Sequence, residues 1–441
     1  MKVHLKTLGC RLNQSEMDSL ARQFVASGNA LTDSPAEADL IVVNTCAVTQ
    51  EAVRSSRQSI RRLHRANPQA QIAVTGCYAH LAPESVRQMA GVAYVVDNHA
   101  KESLVSIVTG APLDSLQPFD LEPIARQALI GAGGRTRAFL KVQDGCDRHC
   151  TFCITRIARG KGRSRPIAEV VAEAQMLVAH GYRELVLTGV HLGSYGHDLG
   201  QPDGLVHLLR ALLSDTDAPR IRLSSLEPWD LPHDLFTLWE DRRLCRHLHL
   251  PLQSGCDATL KRMVRRTTQA SFRALVAQVR EIMPDAAIAT DVIVGFPGET
   301  DEEFAISRAF IEEMDFAALH VFRYSLREGT AAARMPNHVP ESIKRERADT
   351  LIALGAQGAR CFAERFIGQR RPVLWEAVSG ATERGFINNG YTDNFLRVRC
   401  ITPHVLSNAL TDARLIGFDD DETLIAALEA AELAQIGAPT P

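Results

Sequence analysis

Short apolar runs alternate along this chain with longer stretches whose apolar residues recur every three or four positions. The character of that alternation changes twice. In the first stretch KVHLKTL (2–8), DLIVVNT (39–45) and QIAVTG (71–76) read as buried strands, with VAYVVDN (92–98) as a fourth. Between them SEMDSLARQFVASG (15–28) and TQEAVRSSRQSIRRLHRA (49–66) carry the period of amphipathic helices. Strand–helix–strand repetition predicts a parallel sheet with right-handed crossovers, a Rossmann-like α/β domain over residues 1–115. Residues 116–136 are aperiodic and rich in turn residues, the composition of a linker.

From residue 137 to 367 the pattern counts out six strand–helix units. The strands are AFLKVQ (138–143), ELVLTG (184–189), RIRLSS (220–225), HLHLPL (247–252), AAIATDVIVG (286–295) and ALHVFRY (318–324). Helical patterns such as AEVVAEAQMLVAHG (168–181) and TDEEFAISRAFIEEM (300–314) lie between them. Six βα units are too few to close an eight-stranded barrel and predict an open, partial one. From 368 to 435 the helical period is lost. RPVLWEAVSG, RGFINNGYTDNFLRVRC and NALTDARLIGFD predict short strands with turns at Gly380, Asn389–Gly390 and Asn408, hence a small antiparallel β-barrel. The acidic tail DDDETLIAALEAAELA reads as an exposed or frayed helix.

Composition narrows the classes. A chain of 441 residues needs two or three cores. With 45% hydrophobic and 23% charged residues it is globular, and no apolar run is long enough for a membrane span. The formal net charge of −3 means that any nucleic-acid contact must come from local patches. The opening MKVHLKTLGC has no signal-peptide core, which predicts a cytoplasmic protein without a membrane partner, its thiols reduced. The ten cysteines then read as metal or redox ligands with a few buried bystanders, and not as a disulfide framework.

Chemistry in parallel α/β folds gathers at the carboxyl ends of strands. Cys10 follows the first strand, Cys46 the second and Cys77 the third, each just before a helix, where free N–H groups favour a thiolate. Independent burial of each is the alternative; three successive equivalent strand ends favour a shared ligand set. DGCDRHCTFC (144–153) adds Cys146, Cys150 and Cys153 at the end of the next domain's first strand. One short loop with that spacing can ligate three irons of a cube, whereas a zinc site calls for a fourth ligand at a matching spacing. Cys245, Cys256, Cys361 and Cys400 form no constellation and read as structural.

With Phe152 as its aromatic, GCDRHCTFC resembles the radical S-adenosylmethionine signature, and together with Cys10, Cys46 and Cys77 it resembles the methylthiotransferases. The resemblance spans nearly the whole chain and implies an N-terminal methylthiotransferase domain, a radical-SAM partial barrel and a C-terminal TRAM barrel. It implies two 4Fe–4S clusters and S-adenosylmethionine. Cys146, Cys150 and Cys153 would hold the cluster whose open iron chelates S-adenosylmethionine for cleavage to a 5′-deoxyadenosyl radical. Cys10, Cys46 and Cys77 would hold an auxiliary cluster whose open iron carries the sulfur to be transferred. The strand-end rule nominates Gly189, Ser225, Glu227, Gln253 and Asp291 around S-adenosylmethionine, with Arg165 to pair with a carboxylate or phosphate. A reductant such as flavodoxin or ferredoxin is implied; the sulfur donor stays open.

TLGCRLNQSE, VTGCYAH, TGVHLGSYG, RLSSLEP and LHLPLQSGCDATLKRM resemble the branch acting on N6-threonylcarbamoyladenosine in the tRNA anticodon loop. That implies a 2-methylthio product. In ITRIARG, Arg156 and Ile157 stand where the branch carries Pro and an aromatic, and their effect on substrate choice is left open. Isopentenyladenosine in tRNA, a ribosomal-protein aspartate, or a non-catalytic iron–sulfur RNA-binding role are the alternatives. For an RNA partner, Arg54, Arg57, Arg61 and Arg65 recur on one helix face and KRMVRRT (261–267) forms a second basic cluster. Phe395, Arg397 and Arg399 are candidate contacts in the small barrel.

Overall fold

The computed structural model describes residues 1–110, 136–232, 234–420, 422–429 and 432. The apolar runs of the first stretch become a parallel sheet. Its strands are β1 (Lys2–Thr7), β2 (Ala30–Leu31), β3 (Leu40–Thr45), β4 (Gln71–Gly76) and β5 (Val92–Val95), in spatial order β2-β1-β3-β4-β5. The central strand β3 is buried along its whole length, because helices cover both sheet faces. Met17, Leu20 and Phe24 of the helix Arg11–Ala26 pack one face; Ile60 and Leu63 of the helix Gln50–Ala66 pack the other. Strand β2 has two residues, too few for periodicity to reveal. Apart from Thr136, the expected linker lies outside the described residues.

The second stretch supplies β6 (Arg137–Lys141), β7 (Gln143–Asp144), β8 (Arg163–Ser164), β9 (Glu184–Thr188), β10 (Arg220–Leu223), β11 (His247–His249), β12 (Ala287–Val294) and β13 (Ala318–Arg323). Two parallel sheets, β10-β9-β6 and β11-β12-β13, are joined by the parallel bridges Ile221 to Leu244 and Ser225 to His249. The result is the expected six-stranded arc, with strands in sequence order. Leu185, Leu187, Ile221, Leu223, Leu248 and Ile288 join the apolar core with the surrounding helices. Strand alternation therefore turns Arg137, Glu184, Arg222, His249 and Asp291 toward the inside. The N-terminal domain spans the open side of the arc. Ser15 Oγ donates to the Phe139 carbonyl on β6 at 2.7 Å. Beyond β13, Gln50 Nε2 donates to the Leu326 carbonyl at 3.2 Å and Arg327 Nε to that of Val48 at 3.1 Å.

The third stretch forms β14 (Arg370–Trp375), β15 (Gly380–Thr382), β16 (Gly385–Thr392), β17 (Arg397–Thr402), β18 (Leu410–Phe418) and β19 (Leu424–Ala427). Strand β14 pairs with both β16 and β18, which closes the sheet into a barrel. All its pairings are antiparallel except β17 with β19. The tail is a correction to the sequence reading: Leu424–Ala427 is a strand seated between β17 and β18, and not a helix. Leu424 and Ala426 are buried in the barrel core, so two waiting edges and an apolar interior override helix propensity. Gly380 and Asn389–Gly390 are also corrected, since they lie within β15 and β16 and not at turns. A Cβ at Gly390 would stand 2.7 Å from Val373 Cγ1, so this glycine admits the neighbouring strand's side chains. Asn408 takes the left-handed turn expected of it, with φ of 64°. No described helix is long and apolar enough to cross a membrane.

Candidate functional site

Cys10, Cys46 and Cys77 follow β1, β3 and β4, which are neighbours in the sheet, so the three thiols share one rim. Gly9, with φ of 96°, lets the first turn close on the second: a Cβ there would fall 2.7 Å from Cys46 Sγ. Burial pushes the Cys46 thiol pKa up, and the nearby Cys10 and Cys77 add to the rise against a backbone donor at Val48. Asn98 Nδ2 lies 3.9 Å from Cys77 Sγ. Three converging thiols are the donor set a metal cluster takes as thiolates.

The second set sits in the loop between β7 and β8, whose pairing pins the loop's base. Gly145 has φ of 70°, and a Cβ there would lie 1.9 Å from the Lys161 carbonyl oxygen, so no side chain fits. Burial raises the Cys146 pKa to about 12, with Cys153 and Cys150 contributing. Each sulfur receives a donor. The backbone N–H groups of Arg148 and Thr155 lie 3.4 Å from Cys146 and Cys153, and Arg265 Nη1 lies 3.9 Å from Cys150. N–H groups aimed at sulfur suit metal-bound thiolates, so this donor set also fits a cluster.

A further layer of side chains holds this loop. Gln143 Oε1 accepts from the Val190 and His191 N–H groups at 2.9 Å, and its Nε2 donates to the Gly145 carbonyl at 2.8 Å. His191 Nδ1 lies 3.9 Å from Cys146 Sγ, and its Nε2 lies 2.9 Å from Asp230. Arg148 donates to both Asp230 oxygens, at 2.6 and 2.5 Å. Although burial alone would raise the Asp230 pKa, bonds from His191 and Arg148 hold it down at about 2.

The sequence-nominated residues divide among these surroundings. Ser225 and Asp291 meet through His249: Ser225 Oγ is 2.6 Å from His249 Nδ1, and His249 Nε2 is 3.0 Å from Asp291. Glu227 accepts from Arg265 at 2.8 Å, which ties it to Cys150's partner. Gln253 bridges to β12 through its backbone with φ of 73°. Phe152 packs against Met263, Phe296 and Tyr324. The space beside Gly189 is filled by Gln143, 3.0 Å from where a Cβ would sit. Arg165 is engaged by Glu173 at 2.6 Å and the Lys141 carbonyl at 2.7 Å.

The expected RNA contacts also divide. Arg54, Arg57, Arg61 and Arg65 are exposed and line one open cleft of about 970 Å³ with His64. Within KRMVRRT, Arg262 pairs with Glu303 and Arg265 turns inward, so only Lys261 and Arg266 remain outside. Phe395 is a correction: its ring packs on His247 at 4.8 Å and on Tyr391 at 4.6 Å, at the base of the arc. Arg399 pairs with Asp419, while Arg397 is exposed. Sequence reasoning missed His191, Asp230, His249 and Arg265, which reach the site from distant segments. The strand-end rule, applied to the residue after Val190 and to HLHLPL, would have found His191 and His249.

Two family models divide the chain at the two thiol sets. The model described as uncharacterized protein family UPF0004 matches residues 2–97, and the radical SAM superfamily model matches residues 140–311. The threonylcarbamoyladenosine tRNA methylthiotransferase MtaB of Bacillus subtilis (strain 168) is 38% identical over 408 residues, covering 90% of this chain and 89% of that one. This chain belongs to the MtaB family of tRNA methylthiotransferases. The namesake of Thermotoga maritima is 36% identical over 403 residues, with 90% of both chains covered. A tRNA-2-methylthio-N(6)-dimethylallyladenosine synthase of Acetivibrio thermocellus is 34% identical over 395 residues, covering 87% and 82%. The solved radical S-adenosylmethionine methyltransferase TsrM from Kitasatospora setae aligns with a TM-score of 0.56 at 17% identity, covering 75% of this chain and 77% of that one; the likeness is one of fold.

Proposed function

We propose that this chain is a cytoplasmic tRNA methylthiotransferase that adds a methylthio group to C2 of N6-threonylcarbamoyladenosine beside the anticodon. The observation that carries the reading is the pair of three-thiol sets, each at strand ends, in two domains that pack together over one partial barrel. When bound, 4Fe–4S clusters at the two sets supply reductive cleavage of S-adenosylmethionine and the site for the transferred sulfur. Cys146, Cys150 and Cys153 hold the first and Cys10, Cys46 and Cys77 the second. Each set offers three thiols among the described residues, one fewer than the four protein ligands of a structural metal site.

The remaining residues bind and orient. Ser225, Glu227, Gln253 and Asp291 line the barrel mouth where S-adenosylmethionine and the adenosine meet, with Gly189 and Phe152 shaping the loops that support it. Arg165, already paired with Glu173, holds β6 to the helix Ile167–Ala179. The domains are residues 1–115, 137–367 and 368–435. The arginine face of the helix Gln50–Ala66 and the small barrel grip tRNA phosphates. A flavodoxin or ferredoxin supplies electrons.

The test is purified protein, reconstituted with iron and sulfide, reduced and supplied with S-adenosylmethionine and tRNA. Formation of 2-methylthio-N6-threonylcarbamoyladenosine supports the reading. Product only on isopentenyladenosine tRNA would move the substrate. Intact S-adenosylmethionine with both clusters loaded would remove the enzyme class.

A further inference from the structure

The two thiol sets are joined by a buried hydrogen-bonded chain. It begins at Asn13, three residues after Cys10, whose Oδ1 lies 3.7 Å from Cys10 Sγ. The same amide donates to the Leu8 carbonyl at 2.7 Å and to that of Thr45 at 3.1 Å, which fixes the turns carrying Cys10 and Cys46. Its Oδ1 also accepts from Arg159 Nη2 at 2.6 Å. Arg159 comes from the other domain, in the short helix Thr155–Arg159 directly behind Cys153. Its second nitrogen donates to Glu16 Oε1 at 2.8 Å and to Asp144 Oδ1 at 3.0 Å. Asp144 Oδ1 in turn accepts the Gly145 N–H at 2.8 Å, at the entrance to the Cys146 loop.

A parallel link stands beside it. Asn98 Nδ2 is 3.9 Å from Cys77 Sγ and donates to the Ala158 carbonyl at 2.6 Å. Thus the helix behind the Cys146 loop is held from two sides by residues that also touch the Cys10 set. Arg159 is 3% exposed, Glu16 7% and Lys101 4%. Lys101 Nζ closes the network on Glu16 at 2.6 Å. Ions desolvated to this degree cost stability unless every charge is met, so such networks are weak evidence for stability alone. What this one provides is a fixed geometry. A planar guanidinium that bonds three partners at once admits only one relative placement of the two loops.

We infer that Arg159, with Asn13 and Asn98, is a positioning device that sets the separation and orientation of the two thiol sites and so couples their half-reactions. This rests on the proposed function, in which a radical made at one site must act on an adenosine within reach of sulfur at the other. Radical transfer tolerates little misplacement; a shift of about 1 Å can lower a rate about a hundredfold.

The experiment uses the full chain with Arg159→Gln, Asn13→Ala and Asn98→Ala. Asn13→Ala and Asn98→Ala leave no buried charge behind, so they keep the question open if Arg159→Gln fails to fold. In the reconstituted proteins iron content stays at the parent's two clusters and 5′-deoxyadenosine formation within about twofold of the parent, while methylthio product per 5′-deoxyadenosine falls about tenfold or more; iron at about half the parent's content would mean loss of one cluster and would overturn the positioning role. An unchanged product ratio in all three would overturn the inference. The second readout is hydrogen exchange of the cluster-free proteins. Exchange in residues 10–16 and 155–160 rises together in each variant; a rise confined to the mutated segment contradicts the device. If the parent makes no methylthio product on any tRNA, the proposed function fails and the exchange comparison alone decides the coupling of the two loops.

Discussion

The guanidinium of Arg222 lies against the ring of Phe395, its central carbon 4.2 Å from the ring centroid. Arg222 belongs to β10 and Phe395 to the turn between β16 and β17, so one contact joins the arc to the small barrel. Arg137 lies over the same ring at 5.6 Å, and Arg220 donates to the Tyr391 and Thr392 carbonyls at 3.1 and 2.8 Å. Phe395→Ala removes the packing and the cation–π contact at once. It should cost about 1–3 kcal/mol. Urea unfolding followed by proteolysis of the segment after residue 368 measures it, and a change under about 0.5 kcal/mol would show that the ring is not what docks the barrel.

Beneath that contact, Glu184 is buried between Arg220 and Arg222, at 2.9 and 2.8 Å. Burial alone would raise its pKa, but Arg222 and Arg220 overcome this and hold it well below the ordinary 4.5. Glu16 is likewise depressed, burial being outweighed by Lys101, Arg159 and Lys141. The folded state thus binds fewer protons than the unfolded chain in acid. The stabilisation is fully present above the unfolded value of 4.5 and is lost as pH falls through the folded one. Cluster-free protein should keep its melting temperature from neutrality down to about pH 5 and lose it steeply below. Glu184→Gln, which strands two buried guanidinium groups, should cost about 3–5 kcal/mol at neutral pH. Its deficit should shrink as acid protonates Glu184 in the parent protein.

Cys10→Ala and Cys146→Ala should fail differently. On the proposed assignment, loss of Cys146 removes a ligand of the S-adenosylmethionine site, so both 5′-deoxyadenosine and methylthio product should disappear. Loss of Cys10 leaves the other set intact, so S-adenosylmethionine is still cleaved while methylthio product disappears. Iron analysis should find about one cluster in each variant against two in the parent. Full methylthiolation by Cys10→Ala would refute the auxiliary role of that set.

The arginine face offers a salt-dependent test. Each of Arg54, Arg57, Arg61 and Arg65 that contacts a phosphate should lower the slope of log affinity against log salt by about one when changed to Gln. The parallel change Arg273→Gln, at an exposed pair with Glu313, should leave tRNA affinity unchanged. Equal effects from both would mean that the face only contributes overall charge.

The grouping of the six candidate cysteines into two sets was legible because Cys10, Cys46 and Cys77 each follow an apolar run that ends a parallel strand and the other three share one loop, relations visible in one dimension. The arc and its strand order were legible for the same reason. Arg265 and Asp230 were not, because their partners are Cys150 and Arg148, far along the chain, and no local period marks them. Phe395 misled: aromatic and basic residues on a small barrel look the same whether they face RNA or a neighbouring domain. The tail misled through composition, since an Ala- and Leu-rich run has helix propensity that two open strand edges overrode at Leu424–Ala427.

The most direct measurement is mass spectrometry of tRNA nucleosides from cells with and without this gene. The account predicts that the 2-methylthio group disappears from threonylcarbamoyladenosine alone, while the unmodified threonylcarbamoyl nucleoside accumulates and isopentenyladenosine derivatives stay as they were. Retention of 2-methylthio-N6-threonylcarbamoyladenosine at the parental level, in cells with no second enzyme of this kind, would contradict it.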